Sequence, residues 1–169
     1  MESAADGERE TLTYEQFGVA VRDLALQVHE SGWEPDWILS IARGGLLIGG
    51  AIGYALSMKN IATVNVEFYT DVDERLEAPV VLPPVLDLVD LADSAVLVVD
   101  DVADTGETLS MVRELVGHTV SEARSLVIYE KSRSVIRPDY VWRRTDAWVN
   151  FPWSTEPPVR PPPTHADRF

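Results

Sequence analysis

The segment that most constrains this chain is Val96-Leu97-Val98-Val99-Asp100-Asp101-Val102-Ala103-Asp104-Thr105-Gly106-Glu107-Thr108. The run Ala95 to Val99 is apolar on both faces of a strand, which predicts a central strand of a parallel sheet. Two adjacent carboxylates follow at its carboxyl end, where open α/β sheets bind ligands. A glycine-containing turn then leads into a helix predicted over Thr105 to His118. The backbone N–H groups of residues 104 to 108 would point outward there and form an anion site, with the Thr105 and Thr108 hydroxyls as further donors. Carboxylates accept hydrogen bonds from a diol, and helix-start amides hold a phosphate. Together they suit a ribose 5-phosphate. Capping of the helix by Asp104 or Thr105 accounts for one of these residues. It does not account for Asp100 and Asp101 side by side.

The rest of the chain supplies alternating strands and helices around this segment. Thr13 and Gln16 stand in capping-box spacing, and Phe17, Val21, Leu24 and Val28 then recur on one helical face, with Gly32 as a stop. Trp37 to Ala42 predicts a buried strand, Leu46 to Ser57 a small-residue helix packed closely on a sheet, and Ile61 to Phe68 a second strand. Ala123 to Tyr129 predicts another buried strand, and Tyr140–Trp142 and Trp148–Phe151 short closing strands. The stretch from Tyr69 to Asp93 is acidic, carries prolines and has no sustained period. So long a connection inside one domain predicts a functional lid or a mobile loop. The expected organisation is a leader over residues 1–11, one α/β domain over 12–154 with a mostly parallel central sheet flanked by helices, and an extended proline-rich tail over 155–169.

Composition narrows the function. With 169 residues, no cysteine and a formal net charge of −14, the chain has neither a disulfide framework nor a thiolate metal site. The charge counts against nonspecific binding to nucleic acid or anionic membranes. No apolar run reaches the roughly 18 residues of a membrane span, and the polar, acidic start does not resemble a signal peptide. These features predict an acidic, soluble, cytoplasmic domain.

A second constellation, Ser40-Ile41-Ala42-Arg43-Gly44-Gly45, also lies at a strand end before a helix. Arg43 can clamp a diphosphate with its fork of donors, while Gly44 and Gly45 let backbone amides approach the anion. Alone, such a turn is ordinary. It comes one strand–helix unit before the first constellation.

The 96–108 segment resembles the phosphoribosyl-pyrophosphate (PRPP) motif of type I phosphoribosyltransferases: four apolar residues, two acids, two apolar residues, then Asp-Thr-Gly-x-Thr. The resemblance implies that family's fold, with a small C-terminal hood. It implies that Asp100 and Asp101 face the ribose hydroxyls, that Asp101 lies near a Mg²⁺ ion, and that Asp104, Thr105, Gly106, Glu107 and Thr108 wrap the 5-phosphate, with Val102 and Ala103 in the same PRPP-binding stretch. It makes Arg43, Gly44 and Gly45 the pyrophosphate loop. Ala42 departs from xanthine-guanine members, which often carry a hydroxyl residue there. Asp104 becomes the acid beside the imidazole-ring nitrogen of a purine, the proton acceptor or donor.

A third stretch runs from Lys131 through Ser132-Arg133-Ser134-Val135-Ile136-Arg137-Pro138-Asp139-Tyr140-Val141 and on to Trp148-Val149-Asn150-Phe151-Pro152-Trp153. On residue chemistry alone, Lys131 reads as a solvated strand end and Trp148 as core packing. Lys-x-Arg-Ser-Val-x-x-Pro-Asp-Tyr-Val is similar, however, to the purine-binding segment of hypoxanthine-guanine phosphoribosyltransferases. Trp-Val-x-x-Pro-Trp is similar to the hood of bacterial xanthine-guanine enzymes. The resemblance implies that Lys131 contacts a 6-oxo group, that Trp148 stacks on the base, and that the Val149 backbone faces its 2-position. Where those enzymes place an acid after the last tryptophan, this chain has Ser154. The same resemblance makes the loop opening at Glu67-Phe68-Tyr69-Thr70 a cover that closes over PRPP.

The expected activity is therefore transfer of the 5-phosphoribosyl group of PRPP to a 6-oxopurine base (hypoxanthine, guanine or xanthine) with release of pyrophosphate, in purine salvage, with Mg²⁺ as cofactor and a homo-oligomer, dimer or tetramer, as the assembly. The rival is a non-catalytic sensor of PRPP or nucleotide on the same fold, which need not keep Lys131 and Trp148. A phosphorelay receiver domain would need a further phospho-accepting Asp one strand–helix unit later, where this chain has Glu130-Lys131. The charge is also uneven: residues 67–107 hold twelve acids and one base, whereas residues 124–144 hold six bases and two acids. Concentrated acid at the diol motif predicts substrate binding that depends strongly on magnesium.

Overall fold

A computed structural model of the chain describes residues 8–67, 70–71, 74–75, 80–82 and 87–160. The elements in chain order are β1 (Arg9–Thr11), α1 (Tyr14–Glu30), β2 (Trp37–Ala42), α2 (Gly44–Ala55), β3 (Ile61–Glu67), β4 (Thr70–Asp71), β5 (Glu74–Arg75), β6 (Val80–Leu82), β7 (Ala95–Ala103), α3 (Glu107–Gly117), β8 (Glu122–Glu130), β9 (Tyr140–Arg144) and β10 (Trp148–Asn150), with a 3₁₀ turn at Leu88–Leu91. They divide into two compact units, Gly18–Asp146 and a smaller one of Met1–Phe17 with Ala147–Phe169. No helix among the described residues is long and apolar enough to cross a membrane.

The larger unit is an α/β fold. Its sheet runs β6-β3-β2-β7-β8-β9. Five strands are parallel and β6 pairs antiparallel at the β3 edge. The central strands are apolar on both faces because helices cover both. Leu39, Ile41, Val96, Val98 and Val127 form one buried cluster with Leu109, Val112 and Val116 of α3. On the other face α2 lies so close that a Cβ on Gly49 would sit 1.9 Å from Ser40 Oγ, and one on Gly45 2.4 Å from the Val99 carbonyl oxygen. The small-residue helix read from the sequence is this close approach.

Several elements follow their local signals. The Thr13 N–H donates to Gln16 Oε1 at 3.0 Å and the Gln16 N–H to Thr13 Oγ1 at 3.2 Å, a reciprocal capping box. Helix α1 buries Val21, Leu24 and Val28, and Gly32 takes φ +72° after it.

Other elements differ from expectation. Strand β7 does not stop at Val99 but continues to Ala103, because β8 pairs alongside it as far as Ala103↔Glu130. The region after Tyr69 is not one structureless connection: β4 pairs with β5, β6 joins the main sheet, and Leu91 is buried. The remainder of that stretch, Phe68 and Tyr69 included, lies outside the described residues, as do residues 1–7 and 161–169. Arg9–Thr11, expected within a leader, form β1, which pairs parallel with β10 (Arg9↔Trp148, Thr11↔Asn150). In this smaller unit Phe151 and Trp153 stack with ring centroids 5.0 Å apart, and Phe17 meets Trp153 edge-on at 5.5 Å. That non-local pairing carries no local sequence signal.

Candidate active site

The chain leaves β2 through α2 toward β3 on one side, and leaves β7 through α3 toward β8 on the other. Strands β2 and β7 are neighbours, so the strand order reverses between them. A crevice at the carboxyl ends of two such strands is where open α/β sheets bind ligands. The pairing shows the crevice directly. The β2–β7 ladder ends at Ser40↔Val99, while β2 continues along β3 to Ala42↔Asn65 and β7 continues along β8 to Ala103↔Glu130. The two strands part after Val99. Arg43-Gly44-Gly45 then lies on one side of the opening and Asp100 to Thr108 on the other.

The Asp100 and Asp101 carboxyls stay close enough to interact side chain to side chain. Asp101 shares the face of Leu97 and Val99 and reaches α2, where a Cβ on Gly44 would lie 2.1 Å from Asp101 Oδ2. Asp100 Oδ1 accepts the Asp101 N–H at 2.9 Å. Burial pushes Asp100 well above the ordinary carboxylate range, and the adjacent Asp101 charge adds to the rise. Burial raises Asp101 as well, against hydrogen bonds from the Val102 and Asp101 N–H groups that lower it. Two desolvated carboxylates at the mouth of a crevice are suited to a cation or to hydroxyl donors.

Both strands lead through short turns into helix starts. Arg43 is exposed and occupies the N-cap of α2, which has no acidic residue in its first turn. Gly106 caps α3 at φ +76°, a conformation that favours glycine, and a Cβ there would meet Ser134 Oγ at 2.2 Å. Thr105 Oγ1 accepts the Glu107 N–H at 3.4 Å. The turn between β7 and α3 therefore presents helix-start amides to the crevice mouth.

Asp104 and Lys131 are brought together: Lys131 Nζ lies 3.7 Å from Asp104 Oδ1, and the lysine is 7% exposed. The solvated strand end that residue chemistry suggests for Lys131 is thus replaced by a buried stem with its ammonium beside a carboxylate. Sequence reasoning did not single out Arg133, whose guanidinium also binds Asp104; its place two residues after Lys131 was the available signal. Nor did it single out Glu130, 1% exposed, which binds both Arg137 and Arg144. The Pro138-Asp139-Tyr140 part of the same segment is scaffold. Asp139 Oδ2 accepts the Ser125 N–H at 2.7 Å, and the Tyr140 hydroxyl lies 2.9 Å from Ser31 Oγ. Trp148 and Val149 belong to the smaller unit. Trp148 is 63% exposed there, and its N–H donates to the Glu8 carbonyl at 3.1 Å.

Paired carboxylates and two helix-start turns thus stand at the carboxyl ends of neighbouring strands in an α/β sheet. Comparison with known proteins gives the class. A family model described as a phosphoribosyl transferase domain matches residues 10–160. The chain is 30% identical over 154 residues to a xanthine-guanine phosphoribosyltransferase of Gluconobacter oxydans, covering 90% of this chain and 88% of that one. Among solved structures it is similar to a purine phosphoribosyltransferase from Pyrococcus horikoshii, with TM-score 0.78 and 33% identity over 90% of this chain and 99% of that one. A Helicobacter pylori xanthine-guanine-hypoxanthine phosphoribosyltransferase, at 19% identity and TM-score 0.71 over 86% of this chain and 93% of that one, shares the fold. The chain belongs to the type I phosphoribosyltransferase family, and its activity is phosphoribosyl transfer.

Proposed function

We propose that the acceptor is a 6-oxopurine and that the reaction is base plus PRPP giving the nucleoside 5-monophosphate and pyrophosphate. The observation that carries this reading is the meeting of Asp104 with Lys131 at 3.7 Å beside the phosphate turn. An ammonium donor for a 6-oxo group and a carboxylate acceptor for a ring-nitrogen proton then stand together. The names of the relatives in Gluconobacter and Pyrococcus support a purine. In this reading Arg43, Gly44 and Gly45 hold the leaving diphosphate, Asp100 and Asp101 the ribose hydroxyls, and residues 104–108 the 5-phosphate, with Val102 and Ala103 in the same PRPP-binding stretch. Lys131 fixes the 6-oxo group, Trp148 stacks on the base, and the Val149 backbone faces its 2-position. The C1–oxygen bond to diphosphate breaks, the C1–nitrogen bond to the base forms, and Asp104 takes the proton from the base. Binding both substrates in one geometry supplies much of the rate, and the proton transfer contributes on the order of 10²–10⁴-fold.

The donor set fits Mg²⁺. No group of three or more acidic or histidine side chains forms a closed cage among the described residues. Magnesium is ordinarily held by one or two carboxylates together with substrate oxygens. Asp101, with Asp100 beside it, offers such a partial set at the crevice. The bound ion would offset charge on the diphosphate. Purine salvage in the cytoplasm by a homo-oligomer, dimer or tetramer, belongs to the same reading.

Pyrophosphate release from PRPP with guanine, hypoxanthine or xanthine, at graded Mg²⁺, tests it. Release with at least one of the three is expected, together with a large loss of turnover and retained PRPP binding in Asp104→Asn. PRPP binding without release for any base would instead favour a sensor on this fold.

A further inference from the structure

Three consecutive residues of the phosphate turn are held by three alternate residues of the segment that follows β8. The Lys131 N–H donates to the Ala103 carbonyl at 3.0 Å, and the Val135 N–H to the Thr105 carbonyl at 2.8 Å. Between them the Arg133 side chain takes Asp104. Its Nε lies 2.8 Å from Asp104 Oδ1, and its NH2 reaches the same oxygen. The two backbone bonds fix the path of the turn but leave the Asp104 side chain free to rotate. Lys131 Nζ, at 3.7 Å, acts on that carboxylate as a point charge. The planar arginine fork constrains direction as well as distance.

Both cations converge on Oδ1, and no protein group among the described residues bonds Oδ2. We propose that Arg133 is a positioning residue for phosphoribosyl transfer, holding Asp104 so that Oδ2 is presented to the proton of the incoming base. This rests on the role given to Asp104 above. A purely structural explanation is weak, because the Arg133 side chain is 62% exposed, and exposed ion pairs add little to stability. Its geometric effect on Asp104 is not weakened by exposure in the same way. A reacting group displaced by about 1 Å loses on the order of 10²-fold in rate.

The test compares Arg133→Ala, Arg133→Lys, Asp104→Asn and the double variant, using PRPP and whichever purine is turned over. Arg133→Ala should lower kcat about 10- to 100-fold, with the KM for PRPP unchanged and the melting temperature kept. Added guanidinium ion should restore part of the loss, and Arg133→Lys should recover less than full activity because it lacks the fork. The double variant should be no slower than Asp104→Asn alone, since both changes act on one carboxylate. If Asp104→Asn is crippled while Arg133→Ala keeps wild-type kcat, the positioning role is overturned and the Asp104 role stands. Multiplicative losses in the double variant, or a kcat loss that follows a fall in melting temperature without guanidinium rescue, also overturn it. Full activity of Asp104→Asn with every purine would remove the Asp104 role and this one with it.

Discussion

Gly44 lies directly against the Asp101 carboxylate: a Cβ on the glycine would sit 2.1 Å from Asp101 Oδ2 and 2.4 Å from its Cγ. This is where the turn after β2 meets the strand that carries the paired acids. Gly44→Ala must therefore move Asp101 or the start of α2. We expect it to weaken Mg²⁺-dependent PRPP binding at least tenfold, read as a raised KM for PRPP and a raised Mg²⁺ requirement. Gly50→Ala is the control in the same helix, because a Cβ there meets nothing within 4 Å. It should keep activity and gain about 0.5–1 kcal/mol of stability. Equal kinetics for the two variants would separate Gly44 from the site.

Further along the same helix–sheet contact, Gly49 and Ser40 predict stability rather than activity. Ser40 Oγ is buried and has no hydrogen-bond partner among the described residues, a situation that costs about 1–3 kcal/mol. Ser40→Ala should therefore raise the unfolding midpoint. Gly49→Ala, whose Cβ would lie 1.9 Å from that same oxygen, should lower it. Combining the two removes the clashing hydroxyl, so the double variant should be more stable than the sum of the singles. Simple additivity in urea unfolding would show that α2 moves away from β2 instead.

The raised carboxylates make stability depend on pH in a definite direction. Asp100 is raised by burial first and by the Asp101 charge second. Between the ordinary carboxylate value near ~4 and the raised value, the folded chain binds more protons than the unfolded one. Stability then falls as pH rises through that window. Asp100→Asn keeps an oxygen to accept the Asp101 N–H and removes the charge, so it should melt higher than wild type at neutral pH, by about 2–4 °C for each ~1 kcal/mol relieved. The gain should shrink as pH falls and be lost below the ordinary value near ~4, where the wild-type carboxyl is protonated in both states. PRPP turnover should fall in the same variant. A gain independent of pH would point to packing rather than charge.

What the sequence made legible was local. The apolar run before Asp100, the glycine at 106 and the small residues of α2 each state their own conformation, and the strand order that places them at one crevice follows from strand–helix alternation. Pairings between distant segments were not legible. Strand β1 finds β10 across 139 residues at Thr11↔Asn150, and nothing in Arg9-Glu10-Thr11 distinguishes it from a solvated leader. Arg133 was missed for a related reason. The segment that carries it crosses the phosphate turn through backbone bonds, which place a surface-looking arginine on Asp104.

Glu130 gives the last expectation. It is 1% exposed at the end of β8, and Arg144 Nε meets its Oε2 at 2.7 Å while Arg137 binds the other oxygen. The arginine side chains are 69% and 72% exposed, so the burden of burial falls on the glutamate. Removing one arginine leaves the other to compensate it, and each single change should cost no more than about 1 kcal/mol. Removing both leaves a buried carboxylate uncompensated, a loss of about 3–5 kcal/mol. Arg137→Ala with Arg144→Ala should therefore destabilise far more than the sum of the singles. Adding Glu130→Gln to that pair should recover much of the loss, because the buried charge is gone. Urea unfolding of the five proteins checks this, and a double variant within about 0.5 kcal/mol of additivity would mean that the Glu130 charge does not depend on its two partners.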